Sequence, residues 1–161
     1  MQKKIFLTVI ALFAATAVFS QVRYQGHLAA GYGIQIGWAD ANPVNVEKTH
    51  GVRINPHLFT GAGIGLDYRS SLGALDYHVY GNVRGYLLAE GATPFLSVDA
   101  GYGFLENDEG FYASPALGMS WPLGNRCALA FNIGFQMQDV AERLGGRRYE
   151  KNVIFRVEFM F

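Results

Sequence analysis

The sequence predicts an all-β chain folded as an eight-stranded antiparallel up-and-down barrel. Three observations carry this: apolar and polar residues alternate through most of the chain, glycines and aromatics are abundant, and connections alternate between short and long. The 161 residues include 20 Gly and 14% aromatics, while charged residues make up only 16%. That profile disfavours both disorder and a helical bundle. Lys plus Arg and Asp plus Glu both number 13, so no charge excess points to nucleic acid. The single cysteine, Cys127, leaves no internal disulfide framework and no Cys-based zinc site.

Residues 1–20 read as a cleaved signal peptide. Lys3 and Lys4 precede the apolar run Ile5 to Phe13, and Val18-Phe19-Ser20 before Gln21 resembles a signal-peptidase site. The apolar run is shorter than the ~20 residues a membrane-spanning helix needs. The barrel is then expected over 21–161.

Leu28, Tyr32, Ile34 and Ile36 mark the first strand. The second, within Val44 to Ile54, is the least regular, because strict alternation puts Lys48 and His50 on the face of Val52 and Ile54. A bulge at Gly51 would reverse that parity upstream. The third strand carries Leu58, Ala62, Ile64, Leu66 and Tyr68, and the fourth Tyr77, Val79, Val83 and Leu87 opposite Asp76, His78, Asn82 and Arg84. Leu96, Val98, Ala100, Tyr102 and Phe104 make the fifth. The sixth runs from Phe111 to Trp121, where Pro115 requires a bulge or an unpaired position. Leu129, Phe131, Ile133, Phe135 and Met137 form the seventh strand, and Val153, Phe155, Val157, Phe159 and Phe161 the eighth.

The apolar face of the seven regular strands carries no charge. The opposite face holds Asp67, Asp76, Arg84, Asp99, Arg156 and Glu158 together with many glycines, including Gly61, Gly63, Gly65, Gly101 and Gly103. Small residues suit the cramped interior of eight strands. Tyr32, Trp38, Tyr68, Tyr77, Tyr102 and Phe104 cluster towards one end of the apolar band, and Trp121, Phe159 and Phe161 towards the other, as in interfacial girdles. The reading is therefore an inverted, transmembrane barrel with lipid outside and charges inside. The competing soluble barrel of lipocalin type would have to line its cavity with those charges.

The signal peptide, eight alternating strands, short turns at one end and the terminal strand Val153-Ile154-Phe155-Arg156-Val157-Glu158-Phe159-Met160-Phe161 resemble the small outer-membrane β-barrel family that includes OmpX and the transmembrane domain of OmpA. The segment Gly51 to Phe59, followed by alternating glycines to Tyr68, resembles a turn recurrent in porin-family barrels of Gram-negative bacteria. The resemblance implies insertion in the outer membrane, among its lipids and lipopolysaccharide, by a barrel-assembly machinery that reads the Phe161 strand. With nothing after Phe161, it does not imply the peptidoglycan-binding role of full-length OmpA-type proteins.

The candidate sites follow from the faces. Arg84, Asp99, Asn132, Arg156 and Glu158 are expected to form a polar network in the lumen. Pairing Leu88 with Phe95 would set Arg84 opposite Asp99, and pairing Gln138 with Asn152 would set Asn132 beside Glu158. The working surface is expected in the long loops, above all Asp139 to Lys151, where Glu142, Arg143, Arg147, Arg148 and Lys151 offer contacts and the basic residues suit lipopolysaccharide phosphates. No catalytic residue, metal site or cofactor is assigned, and a monomer is expected. Two alternatives stand: a small passive pore, and a lipid A-modifying enzyme built on His78, Asp76 and Ser71. The acidic run Glu106-Asn107-Asp108-Glu109 lacks the fixed ligand spacing of a calcium site.

Overall fold

The structure, a computed structural model, describes residues 22–37, 42–71, 73–105, 108–141 and 147–161. The proposed signal peptide, Trp38, Glu106, Asn107, Glu142 and Arg143 lie outside them. Eight strands follow in order: β1 Arg23–Gln35, β2 Pro43–Asn55, β3 Leu58–Arg69, β4 Ala74–Tyr86, β5 Thr93–Leu105, β6 Asp108–Pro122, β7 Ala128–Ala141 and β8 Arg147–Met160. Each pairs antiparallel with its sequence neighbour, and β1 pairs with β8 to close the barrel.

The short turns are set locally. The Asn55 side chain accepts from the His57 amide at 2.8 Å. The Leu88 amide donates to Thr93 Oγ1 at 2.9 Å across a turn in which Gly91 takes φ 73°, a conformation that favours glycine. Closure fixes the stagger. A row of paired residues starting at Arg23 passes through Arg53, Phe59, Arg84, Ser97, Ala116, Gly134 and Ile154 and returns to β1 at Gly33, ten residues from its start. Strands must tilt to accommodate such a stagger.

The polarity is inverted, as the alternation requires. Ile64 is 61% exposed on the outside, whereas Glu47 and Arg156 are 5% and 3% exposed inside. Aromatic rings ring both rims of the apolar band, with Tyr77 stacked on Phe104 at 5.2 Å near the long-loop end and Trp121 edge-on to Phe131 at 5.8 Å near the other. The interior glycines make room for neighbours. A Cβ on Gly65 would stand 2.1 Å from His78 Nε2, and one on Gly103 would stand 2.2 Å from Gln138 Nε2.

Two sequence expectations change. First, β2 runs through Gly51 without a bulge; the register shift falls between Arg53 and Asn55. Gly51 faces Gly61 in regular pairing, with the backbones so close that a Cβ there would run into the Thr60 carbonyl. Lys48 and His50 therefore project outward and Glu47 inward. Second, β7 and β8 extend well into Asp139 to Lys151: Arg147 pairs with Ala141, Arg148 with Val140 and Lys151 with Met137. Polar residues continue the ladder because backbone pairing needs no apolar face once the strands clear the lipid. The inward face also carries a patch of apolar side chains. Phe59, Tyr86, Phe95, Ala130 and Met160 form a buried apolar plug near the short turns. At Pro115 the β6–β7 pairing is interrupted between Ala113 and Ala116, as a residue without an N–H demands.

Candidate functional site: the lumen

Above the apolar plug the lumen is filled by charged side chains paired across the barrel. Arg84 on β4 donates to both carboxylate oxygens of Glu158 on β8, at 2.7 and 3.1 Å. Its guanidinium also lies 4.3 Å over the Phe95 ring, which seats it on the plug. Asn132 Nδ2 donates to Glu158 as well, and His27 Nδ1 stands 3.9 Å from the same carboxylate. Glu158 thereby accepts hydrogen bonds from two other strands, with the His27 ring of a third beside it.

The next level is built on Arg156. Its Nη2 donates to Glu47 at 2.9 Å and to Ser114 at 3.1 Å, and its Nε donates to Asn45 at 3.4 Å. His78 stacks on Tyr112 at 4.1 Å and lies between two carboxylates, with Nε2 3.5 Å from Glu47 and Nδ1 3.7 Å from Asp67. Asp67 accepts from Asn45 at 2.5 Å and from Gln136 at 2.7 Å. At the long-loop end Arg69 joins Asp76 at 2.9 Å and also Glu150. Three inward arginines are thus each matched to carboxylates, the arrangement that makes buried charge tolerable.

The register differs from the expected one by two residues. Arg84 faces Ser97, and Asp99 faces Asn82, whose Nδ2 donates to it. The turn around Ala89 to Pro94 is two residues wider, because Tyr86, not Leu88, pairs with Phe95. Likewise Asn132 faces Arg156 rather than Glu158, yet it reaches Glu158 along the diagonal. Taking the alternation of β2 at face value would have placed Glu47 in the lumen. The long-range matches of Arg84 with Glu158 and Arg156 with Glu47 carry no sequence signal, because they depend on which strands face each other once the barrel closes.

Little space remains. A cavity of about 10 Å³ among His27, Glu47, Tyr80, Asn82, Arg84 and Asp99 is enough for roughly one water molecule. The conceivable hydrolytic set is not assembled: Asp76 is engaged by Arg69, His78 faces Glu47 and Asp67, and Ser71 sits on an exposed turn. Among the described residues no group of three or more His, Cys, Asp or Glu side chains is placed to hold a metal ion. Lys151 is exposed.

No family model matches the sequence, and no curated protein sequence does either. Solved structures match the fold. The crystal structure of Neisserial surface protein A (NspA) superposes with a TM-score of 0.63 at 10% identity, covering 86% of this chain and 95% of that one. The N-terminal β-barrel domain of Pseudomonas aeruginosa OprF gives 0.57 at 10% identity, covering 88% and 100%. A de novo designed transmembrane β-barrel gives 0.50 at 17% identity, covering 86% and 94%. The chain accordingly has the fold of the small eight-stranded transmembrane β-barrels.

Proposed function

We propose that this protein is exported, loses residues 1–20, and resides in the bacterial outer membrane as a non-enzymatic barrel. It acts there as a structural or surface-interaction protein through the loops at the long-loop end. The observation that carries this reading is the lumen itself, where the Arg84–Glu158 and Arg156–Glu47 pairs close the axis and leave space for about one water. An interior so filled favours an anchor over the passive pore. The working surface is then what rises above the lipid, with Glu142, Arg143, Arg147, Arg148 and Lys151 as its charged contacts and lipopolysaccharide phosphates as the chemistry its basic residues suit. The similarity to a structure described as a surface protein agrees with this. Assembly through the Phe161 strand, a monomeric state and the absence of a cofactor complete the proposal.

The test is topological. With Cys127 replaced, Arg143→Cys should react with an impermeant thiol reagent on intact cells, and Asn125→Cys should react only after the outer membrane is opened. The reverse pattern would place the long-loop end in the periplasm and remove the surface-interaction role.

A further inference from the structure

The row of paired residues that opens the barrel begins with two arginines set directly against each other. Arg23 on β1 and Arg53 on β2 are partners at the last rung of their ladder, and both share the inward parity of His27 and Thr49. Like charges directly opposite repel. Every other inward arginine described above is matched to a carboxylate, but among the described residues neither of these has one within ion-pairing distance. Arg53 is nevertheless held in place. Its Nη2 donates to the Pro56 carbonyl at 2.5 Å, its guanidinium lies 4.2 Å over the Tyr86 ring, and its Nε is buried without a hydrogen-bond partner.

Both arginines open onto a cavity of about 730 Å³ at the short-turn mouth, which Arg126 also lines, with Glu90 as its acidic side chain. An adjoining cavity of about 610 Å³ is again lined by Arg23, Arg53 and Glu90. The apolar plug of Phe59, Tyr86, Phe95 and Met160 forms the floor beneath this mouth and separates it from the paired charges of the lumen.

We propose that the short-turn mouth is a binding site for a phosphate-type oxyanion, gripped by Arg53 and Arg23 with Arg126 at the rim. A tetrahedral anion neutralises the opposed guanidinium groups and matches the forked donor geometry of arginine. Tyr24, Pro122 and Ala89 along the cavity wall give an organic phosphate ester an apolar flank. A soluble phosphate and a phospholipid headgroup both carry this anion, and the two are separated by experiment.

In one arm, inorganic phosphate is titrated calorimetrically into the full refolded barrel in octyl glucoside. In the other, thermal unfolding is followed in phosphatidylcholine nanodiscs with and without phosphatidylglycerol. For a soluble anion, phosphate binds saturably, R53Q and R23Q each weaken it about tenfold or more, and E90Q tightens it. For a headgroup, phosphatidylglycerol raises the unfolding temperature of the unmodified barrel and not that of R53Q. Arg126 lies on an exposed turn, so R126Q tests the site without disturbing the barrel and should also weaken binding. The proposal is overturned if neither arm responds, or if the responses are the same in R53Q, R23Q and R126Q as in the unmodified protein.

Discussion

Arg84 and Glu158, 74 residues apart in sequence, meet across the barrel through two hydrogen bonds of 2.7 and 3.1 Å. They stand on β4 and β8, strands that share no ladder, so the pair clamps opposite walls of the lumen. Both side chains are buried, at 4% and 5% exposure. Removing one partner should therefore cost ~3–5 kcal/mol, because it strands a charge in a water-poor interior. Arg84→Ala and Glu158→Ala should each lower the stability of the refolded barrel in urea, and the double variant should lose less than the sum. An Arg84/Asp99 cycle should show weaker coupling, since Asp99 is bound by Asn82. Equal coupling in the two cycles would mean that the cross-barrel pair is not the one that forms.

The glycines opposite large inward side chains give a second test. Gly65→Ala sets a methyl group against the His78 ring, and overpacking of this kind costs ~1–3 kcal/mol. His78→Ala in the Gly65→Ala background should recover part of that loss. A double variant worse than both singles added together would contradict the steric account.

On the outside, Phe131 lies within the apolar band and Asn132, the next residue, points into the lumen. Phe131→Arg should cost ~2–4 kcal/mol in lipid vesicles, and Asn132→Ala should be milder, at ~1.5–2 kcal/mol for one lost hydrogen bond to a carboxylate that Arg84 still holds. Equal tolerance at the two sites, measured by unfolding in vesicles, would argue against lipid on the outer face.

Lys48 is a charge within that apolar band. It sits near the centre of β2, paired with Leu28 and Ile64, and its stem can only reach towards the membrane surface at some energetic cost. Lys48→Leu should raise the stability of the vesicle-embedded barrel by about 2 kcal/mol. No gain, or a loss, would show that Lys48 has a partner the isolated barrel retains.

Much of the fold was legible because period-two alternation fixes which side chain faces which way at every residue. That is why Arg84, Asp99, Asn132, Arg156 and Glu158 could be assigned to one face from the sequence. Register was not legible, since it depends on turn width: Tyr86 rather than Leu88 pairs with Phe95, and that shift of two residues separates Arg84 from Asp99. Lys48 and His50 depart from the pattern for a different reason. Charges on the lipid face break the pattern that a bulge at Gly51 would restore, whereas the strand keeps its register through Gly51 and the Tyr24 hydroxyl is hydrogen-bonded to His50. The opposition of Arg23 and Arg53 carries no sequence signal, because only the pairing of β1 with β2 brings them together.

If the paired charges and the apolar plug close the lumen, the barrel should not conduct. Planar-bilayer recording of the refolded barrel tests this most directly. Unmodified protein should give no stable conductance steps, while Arg156→Ala with Glu47→Ala, which clears the middle of the lumen, should admit ions intermittently. Sustained, uniform channel steps from the unmodified barrel would contradict the account and make the passive pore its function.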